Sequence, residues 1–317
     1  MLSFLKKNIK KIRSSWRYAR LGKTVDINQF KLIFLDPCFN LCNLECPYCP
    51  VGCKLKLKDM SRGFLTLDTL KEIWSKSLRD YRGKIGLYNW GEAFLNPDLA
   101  EIVKFIKTNS RAQLILNSNF SFSSDEKILA ILKYLDKDEI IISCDGFSQA
   151  TCEKYRKNVD FEKVMHNVAL INSNRKRITR LKWQYLIFPW NLEEIGATEE
   201  FCGKNNIIFY TGVGGITPDY PMLPTPYSFN SNKFRCEFFF DALTINFDGE
   251  VYPCCAFFGP VRYSIGNAFD TSIQEIFTHG KGKEMLDYLT HKSEGGEDLF
   301  CKLCVERNSS MLDSWKI

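Results

Sequence analysis

Three cysteines near the start of the chain have a spacing suited to iron chemistry. Cys42, Cys46 and Cys49 form a Cys-x3-Cys-x2-Cys triplet just after the apolar run Leu32–Leu35. Three thiolates on a short loop can each bind one iron of a four-iron cubane and leave the fourth iron open to an exogenous ligand. The spacing therefore indicates an iron-sulfur cluster with one vacant coordination position.

A zinc knuckle or a ferredoxin-like cluster with four cysteines is the alternative interpretation. Cys38 and Cys53 each lie four residues outside the triplet and could supply a fourth ligand. Structural zinc usually takes pairs of cysteines in a tetrahedral set, which a lone triplet beside a strand matches poorly. The cluster with an open iron is the favoured interpretation.

Length and composition indicate a globular protein with either one large domain and an appendage or two domains. The chain has 317 residues, of which 45% are apolar, and it exceeds the usual size of a single domain. Its 13 cysteines do not predict disulfides, because no secretory signal is evident. No apolar stretch approaches the roughly 20 residues that span a bilayer. We therefore expect a cytoplasmic protein whose cysteines are reduced or bound to metal.

Positive charge is concentrated at the N-terminus. Residues 1–31 carry nine Lys and Arg against Asp26 alone, a net +8, so the rest of the chain sums to −2 within a total of +6. Binding to nucleic acid is not indicated. Residues 1–30 have apolar side chains at helical spacing and are predicted to form a basic amphipathic helix. We expect its apolar stripe to pack on the main domain, with peripheral contact to an anionic membrane surface as the less favoured alternative.

Short apolar runs alternate with helical patterns from residue 31 onward. The strand candidates are residues 31–35, 84–88, 113–116, 139–143, 181–188 and 206–211. Helices are expected near residues 67–79, 97–108, 125–135, 148–173 and 192–204. Six such units in succession predict an α/β fold in which parallel strands are joined by right-handed helical crossovers.

Polar segments that could form a site each follow a strand candidate. The cysteine loop follows the first strand, residues 89–92 the second, residues 117–119 the third and residues 144–146 the fourth. Ligands of folds with parallel strands bind at the carboxyl ends, where the connecting loops gather. We therefore expect these four segments to meet in one site.

The triplet and its context resemble the radical S-adenosylmethionine (radical SAM) superfamily. The resemblance also includes Tyr48 before the third cysteine and Gly91-Glu92 after the second strand. It covers residues 31–215 and implies a partial (β/α)6 TIM-like barrel. It implies S-adenosylmethionine bound at the open iron of a [4Fe-4S] cluster and cleaved reductively to a 5'-deoxyadenosyl radical. An electron donor such as flavodoxin or ferredoxin is the implied partner.

The turn after the second strand departs from the usual family pattern. Family members usually carry Gly-Gly-Glu here, where the backbone and the carboxylate meet the amino group of the cofactor. Trp90, Gly91 and Glu92 stand at these positions, so the first glycine is replaced. The resemblance therefore implies cofactor binding by Trp90, Gly91 and Glu92, with a motif of lower specificity.

Four further positions resemble cofactor-binding residues of the family. Asn119 corresponds to a polar residue that faces the site, and Ser143 and Asp145 correspond to residues near the ribose hydroxyls. Arg156, in the next helix, has a guanidinium shaped to bind the cofactor carboxylate. Turn formation is the alternative role for Asn119 and Asp145, and a solvated helix charge is the alternative for Arg156.

A second set of cysteines lies in residues 216–317. Cys236, Cys254, Cys301 and Cys304 have the spacing Cys-x17-Cys-x46-Cys-x2-Cys. Four thiolates can close one cubane with no open iron, although structural zinc could use the same four ligands. A hairpin is predicted just before Cys254, because Asp248-Gly249 separates two apolar runs.

The Gly-x4-Cys pattern at Gly249 and Cys254, with the late Cys-x2-Cys pair, resembles the SPASM and twitch auxiliary domains of radical SAM enzymes. A version with two clusters would need another cysteine near Ser310. The resemblance therefore implies a small α+β domain of the shortened twitch type with one auxiliary [4Fe-4S] cluster.

Six other cysteines have no assigned metal. Cys255 lies beside a predicted ligand and could be a spectator, an alternative ligand or a catalytic thiol that donates a hydrogen atom. The remaining five are predicted to be small buried hydrophobic residues. They are Cys38, Cys53, Cys144, Cys152 and Cys202. Two overlapping capping-box spacings, Thr271 with Gln274 and Ser272 with Glu275, predict a helix over residues 273–278.

Two reactions can follow abstraction of a hydrogen atom from the substrate. Loss of an electron gives an oxidation, and return of a hydrogen atom from another face gives an epimerisation. The cysteine spacing resembles that of twitch-type dehydrogenases that oxidise an aminocyclitol alcohol. Oxidation of a carbohydrate or cyclitol alcohol is therefore favoured, with a Cys255-dependent epimerase of a sugar or cyclitol as the alternative.

Two further functions remain open from the sequence. Many relatives with auxiliary clusters modify peptides, but the roughly 30 residues before the first strand are too short for a peptide-recognition domain. A non-catalytic metal-binding scaffold is the other alternative. The position of the cysteine triplet in the first βα loop, with Gly91-Glu92 in the next, argues against it.

Overall fold

A sheet built on six parallel strands forms the centre of the molecule. The computed structural model describes residues 25–54, 61–213, 241–255, 261–289 and 294–295. In chain order its strands are β1 (Leu32–Leu35), β2 (Cys38–Phe39), β3 (Gly63–Phe64), β4 (Lys84–Leu87), β5 (Gln113–Ser118), β6 (Glu139–Ser143), β7 (Arg180–Ile187), β8 (Ile208–Val213), β9 (Ala242–Ile245), β10 (Glu250–Tyr252) and β11 (Gly266–Asn267).

The six predicted strands pair in the predicted order. The succession β1-β4-β5-β6-β7-β8 is parallel throughout. Every predicted strand boundary lies within two residues of the observed one. The α/β class with a partial barrel is confirmed, because sequential parallel strands require helical crossovers that cover the sheet.

Helices connect the successive strands. They span Leu67–Ile73, Leu99–Asn109, Asp125–Leu132, Gln149–Tyr155, Phe161–Asn174 and Ile195–Lys204, and the first continues as a wider π-helical turn over Trp74–Leu78. Most begin at a residue whose side chain accepts a backbone N–H of the first turn, as Thr66, Ser124 and Ser148 do. Such caps satisfy donors that have no partner inside the helix.

The single helix predicted over residues 148–173 is wrong, because the structure has two helices there. The first ends at Tyr155, and Asn158 has a φ of 69°, which no helix accommodates. Asp160 then caps the second helix by accepting the N–H of Lys163. The break places Arg156 at the end of a short helix rather than on a continuous helical face.

The hydrophobic core lies between the sheet and these helices. Alternate strand residues such as Ile33, Ile85 and Leu114 are fully buried against the helices. Residues between them, such as Phe34 and Ile115, lie on the opposite side of the sheet, here called the inner face. The inner face is where a barrel enzyme binds its ligands near the carboxyl ends of the strands.

Four of the five cysteines predicted to be buried are buried. They are Cys38, Cys144, Cys152 and Cys202. The prediction is wrong for Cys53, which is exposed. Cys53 follows the turns of the cysteine loop rather than a strand or helix, so no packed face covers it, and its Sγ lies 3.0 Å from the carbonyl oxygen of Cys49.

The predicted hairpin extends the main sheet. Strand β9 pairs in parallel with β1, β10 pairs antiparallel with β9, and Gly249 has a φ of 79° in the turn. The helices Ile273–Thr278 and Gly280–Leu289 follow. The first begins with the predicted capping box of Ser272 and Glu275. The sequence did not indicate the pairing of β9 with β1.

Several predictions fall outside the described residues. These are the N-terminal amphipathic helix with its membrane contact, and the ligands Cys236, Cys301 and Cys304. The domain limits 1–30, 31–215 and 216–317 stay predictions. None of the described helices is long and apolar enough to cross a membrane.

Candidate cofactor site

The three cysteines of the triplet lie on the loop between β2 and β3. Cys46 is buried, whereas Cys42 and Cys49 are partly buried. No three His, Cys, Asp or Glu side chains of the described ranges converge tightly enough to share one metal ion. In a cubane each cysteine binds a different iron, so the three thiols need not converge on one point.

The thiols of the triplet lie in surroundings that suit cluster ligands. The N–H of Leu44 points at Sγ of Cys42 over 3.4 Å, and such donors stabilise the charge of a metal-bound thiolate. Burial raises the pKa of Cys42 to about 12 and that of Cys46 to about 11. The nearby Arg156 charge opposes the shift at Cys46. Binding of iron must therefore displace thiol protons.

Backbone hydrogen bonds join the cysteine loop to the turn after β4. The N–H of Asn40 donates to the Trp90 carbonyl over 2.7 Å, and the N–H of Glu92 donates to the Leu41 carbonyl over 2.9 Å. A Cβ at Gly91 would lie 1.6 Å from the Cys38 carbonyl oxygen. The second position of the Trp90-Gly91-Glu92 motif must therefore be glycine. At the first position the described hydrogen bonds use backbone atoms, so a Trp90 side chain is tolerated there.

Glu92 has a buried carboxylate that accepts four hydrogen bonds. Its Oε1 accepts from the N–H of Phe94 over 3.1 Å and from the Ser118 hydroxyl over 2.7 Å. Its Oε2 accepts from the backbone and the side-chain amide of Asn119 over 2.9 and 2.7 Å. Burial raises the pKa of Glu92, and these donors oppose that shift. Contact between this carboxylate and the cofactor amino group stays a prediction.

Asn119 lies where the sequence predicts, in contact with both the Glu92 turn and the cysteine loop. Its Nδ2 donates to Glu92 and also to Oδ1 of Asn43, the neighbour of Cys42, over 2.9 Å. Phe120, the next residue, is fully buried with a φ of 51°, an uncommon conformation for a bulky side chain. Ser118 lies in the predicted segment 117–119, whereas Asn43 was not singled out by the sequence.

Asp145 and Arg156 form a buried ion pair with a distance of 2.7 Å between Oδ2 and Nε. The other Asp145 oxygen accepts the N–H of Leu186 over 2.7 Å. Burial raises the pKa of Asp145, and the guanidinium opposes this shift. The charge of Arg156 also acts on Cys46. Arg156 therefore lies beside the cysteine loop. The contact of Arg156 with a cofactor carboxylate and the contact of Asp145 with the ribose stay predictions.

Ser143 points along the inner face of the sheet. Its hydroxyl lies 2.6 Å from Oδ1 of Asn117 and 3.2 Å from Oε1 of Gln184, on the two neighbouring strands. The sequence predicted Ser143 and the segment containing Asn117 as parts of the site. Gln184 was missed because it lies in the middle of β7, where no loop marks it.

Tyr48 is the outer member of an aromatic group. Its ring is 37% exposed and stacks on Tyr155, with centroids 5.9 Å apart and planes 16° apart. Tyr155 packs in turn on Phe188 at 4.7 Å. This exposed ring beside the third cysteine offers a flat apolar surface.

Cys254 and Cys255 follow β10 and are partly buried. Burial raises the pKa of Tyr88, and the charges of Tyr210 and Cys255 raise it further. Tyr88 also meets Phe34 edge-on, with ring centroids 5.3 Å apart, on the inner face. Cys255 therefore lies near the inner face at the end of β4, while its neighbour Cys254 is a predicted cluster ligand.

Family models match two parts of the chain. The model "Radical SAM superfamily" matches residues 37–202, which is more than half of the chain. The model "Iron-sulfur cluster-binding domain", called SPASM, matches residues 236–305. A comparison with the sequences of curated proteins finds no match.

Solved structures share the fold at low sequence identity. The BtrN complex with AdoMet and 2-DOIA has a TM-score of 0.52 and 18% identity, over 85% of this chain and 91% of that chain. AnSMEcpe with bound AdoMet has a TM-score of 0.57 and 16% identity, over 80% and 82%. SuiB of Streptococcus suis has a TM-score of 0.63 and 13% identity, over 86% and 71%.

The family match agrees with the geometry of the site. A radical SAM domain binds S-adenosylmethionine and a [4Fe-4S] cluster, and a SPASM domain binds further iron-sulfur clusters. The cysteine triplet, the Gly91 contact and the loops gathered after the parallel strands fit these cofactors. Both the zinc interpretation and the non-catalytic scaffold are set aside. The chain belongs to the radical SAM superfamily and carries a SPASM-type iron-sulfur region toward its C-terminus.

Proposed function

We propose that the chain is a radical SAM dehydrogenase that oxidises an alcohol of a carbohydrate or cyclitol to a ketone. The observation that carries this proposal is the set of uncharged hydrogen-bonding side chains on the inner face, near the carboxyl ends of the strands. Hydroxyl and carboxamide groups both donate and accept hydrogen bonds, which suits a ligand with several hydroxyl groups.

One part of this inner-face set is already hydrogen-bonded internally. The carbonyl oxygens of Asn117 and Gln184 both face the hydroxyl of Ser143. Their amide NH2 groups therefore remain as donors for a ligand oxygen. Asn117 and Gln184 are partly exposed, so a small molecule on the inner face can reach them.

A second part has buried polar atoms without a partner among the described residues. These are Oγ1 of Thr244 and both amide atoms of Asn246, in side chains that are 1% and 2% exposed. Thr244 pairs with Phe34 in the sheet and shares its inner face. A buried polar group without a hydrogen bond costs about 1–3 kcal/mol, so such atoms indicate a place for a polar ligand or water.

The chain itself would hold the cofactors and position the substrate. Cys42, Cys46 and Cys49 would hold the [4Fe-4S] cluster of the radical SAM site, and Cys254 one edge of the auxiliary cluster. When bound, these cofactors supply a 5'-deoxyadenosyl radical that takes a hydrogen atom and an acceptor for the second electron. The substrate would lose one C–H hydrogen atom to that radical, one hydroxyl proton to solvent and one electron to the auxiliary cluster, which leaves a ketone. The inner-face side chains orient the hydroxyl groups that do not react.

Two solved structures that share this fold contain a second ligand besides AdoMet. BtrN was solved with AdoMet and 2-DOIA, and anSMEcpe was solved with AdoMet and the peptide Cp18Cys. The uncharged hydrogen-bonding side chains near the carboxyl ends of the inner face and the predicted single auxiliary cluster favour a hydroxylated small molecule for this chain. Epimerisation is the second candidate, because Cys255 lies close enough to Tyr88 to influence its pKa.

Product mass in deuterated water tests the proposal. The protein would be reconstituted anaerobically with iron and sulfide and incubated with S-adenosylmethionine, dithionite and a panel of cyclitols, aminocyclitols and sugars. We expect 5'-deoxyadenosine and a product that has lost two hydrogens. The Cys255→Ala variant should still form this product, because oxidation needs no thiol donor.

Other products would overturn the dehydrogenase. A product of unchanged formula that gains one solvent deuterium at carbon, and that the Cys255→Ala variant does not form, identifies an epimerase. If no member of the panel raises 5'-deoxyadenosine formation while a peptide does, the chain is a peptide-modifying enzyme.

A further inference from the structure

Asp36 is a buried carboxylate at the junction of three parts of the cofactor site. It directly follows β1 and is 1% exposed. Its Oδ2 accepts the N–H of Trp90 over 2.9 Å, and its Oδ1 accepts the N–H of Cys38 over 3.2 Å. Its own N–H donates to the carbonyl of Ile245, the last residue of β9, over 2.9 Å.

These three contacts reach segments that are far apart in sequence. Cys38 begins the segment that leads to the cysteine triplet, and Trp90 begins the turn that carries Gly91 and Glu92. Ile245 belongs to the hairpin that leads to Cys254. No lysine or arginine of the described ranges forms an ion pair with Asp36, so its charge is held by backbone donors alone. Burying a carboxylate without a cationic partner has a high desolvation free energy, so its presence indicates a specific role.

We propose that Asp36 is a positioning residue of the radical SAM site: its ionised carboxylate fixes the cysteine loop against the Trp90–Glu92 turn, and its backbone N–H joins this unit to the auxiliary hairpin. This inference rests on the radical SAM chemistry of the family and is independent of the proposed alcohol oxidation. A neutral acid would lose one of the two acceptor oxygens, because the added proton converts it into a donor.

The protonation state of Asp36 changes near neutral pH. Burial raises the pKa of Asp36 to about 6, the two backbone donors oppose this shift, and the charge of Asp248 adds to it. The other titratable groups around it are the Cys38 thiol and Glu92. Burial and the charges of Asp36 and Glu92 raise the pKa of Cys38. Asp36 is therefore mostly ionised well above about pH 6 and mostly protonated well below it.

The pH dependence separates positioning from simple stability. Because the pKa is raised above its unfolded value, the Asp36 contribution to folding stability increases as the pH falls through 6. Cofactor cleavage should show the opposite trend and fall about tenfold for each pH unit below the pKa. Unfolding caused by Asp36 cannot produce such a loss.

Amide hydrogen exchange of Asp36→Asn tests the contacts directly. Its matched control is Asp138→Asn, because Asp138 is also fully buried and accepts the N–H groups of Leu114 and Asp136 at the opposite end of the strands. We expect the Asp36 variant to exchange about tenfold faster in peptides covering residues 38–42 and 90–92. The control should do so only near residues 114 and 136.

Cofactor readouts complete the test. The reconstituted Asp36→Asn protein should lose the acid limb of 5'-deoxyadenosine formation, measured without substrate, and should bind S-adenosylmethionine at least tenfold more weakly. The control should keep both wild-type values. If the variant does not fold, Asp36→Glu, which keeps the carboxylate but moves its oxygens, is compared with the wild-type protein in the same exchange experiment. Unchanged protection of residues 38–42 and 90–92 in either comparison overturns the proposal.

Discussion

Single side chains hold the cofactor loops together, and Glu92 is the most heavily bonded of them. Its carboxylate accepts from Phe94, Ser118 and Asn119, and Asn119 continues the chain of contacts to Asn43 beside Cys42. A carboxylate with four donors is an anchor for the surrounding backbone. Glu92 therefore stabilises the turn whether or not it also meets the cofactor.

We expect Glu92→Gln to destabilise the protein by about 1–3 kcal/mol. The substitution replaces one acceptor oxygen by an NH2 group, and the N–H or O–H donors that faced this oxygen lose their acceptor. Denaturant unfolding of the reconstituted protein measures this change, and 5'-deoxyadenosine formation should fall at least tenfold. The control is Ser118→Ala, which removes one donor and should cost about 0.5–1.5 kcal/mol. Wild-type stability of Glu92→Gln would show that the four hydrogen bonds do not support the fold.

The sequence identified site residues that follow strands and missed those that support them. Glu92, Asn119 and Ser143 were predicted because each lies at or just after a strand end. Asp36 and Asn43 were missed, because Asp and Asn are ordinary turn residues. The local sequence does not show which backbone N–H groups or side chains they contact. Their roles depend on segments more than 50 residues away, which only the fold brings together.

At the level of elements, the cysteine loop and the turn after β4 form one backbone-bonded unit. Gly91 is its tightest point, since Cys38 leaves no room for a Cβ. Trp90 occupies the position where relatives usually have glycine, and its N–H and carbonyl both take part in the unit. The glycine that the geometry requires is thus the one that this sequence keeps.

We expect Gly91→Ala to separate the loop from the turn. The added methyl group cannot coexist with the Cys38 carbonyl at 1.6 Å, so the backbone must move, at a cost of about 1–3 kcal/mol or more. The iron content after reconstitution and the unfolding midpoint should both fall. The control is Gly196→Ala, where nothing lies within 4 Å, and a gain of about 0.5–1 kcal/mol is expected there. Full iron loading of Gly91→Ala would contradict the close contact.

Elements were predictable where the signal is local. Strands with buried faces have short apolar runs, and helix starts have caps, so both were located to within a few residues. The break after Tyr155 was missed because the helical pattern resumes at Phe161 and the positive φ of Asn158 has no strong sequence signal. Burial of Cys53 was predicted from residue type alone, which does not reveal whether an element covers a loop.

For the whole molecule, the main finding is that the hairpin before Cys254 belongs to the central sheet. Strand β9 lies beside β1 although about 210 residues separate them in the chain. Apolar periodicity predicts that a strand exists but not which strand it pairs with. The sequence therefore predicted an appended domain, whereas the described hairpin places the β9 edge directly against the strand that leads into the cysteine loop.

Continuity of the sheet predicts that the hairpin and the barrel unfold together. Leu243 of β9 is fully buried and pairs with Ile33 of β1, so Leu243→Ala leaves a cavity that costs about 2–5 kcal/mol. Denaturant-dependent hydrogen exchange of the reconstituted protein should show the same loss in peptides covering residues 242–252 and 139–143. Leu192→Ala, at a side chain that is 53% exposed, should change neither by more than about 0.5 kcal/mol. A loss confined to residues 242–252 would instead establish a separately folding unit, because two strands of one cooperative sheet cannot lose stability independently.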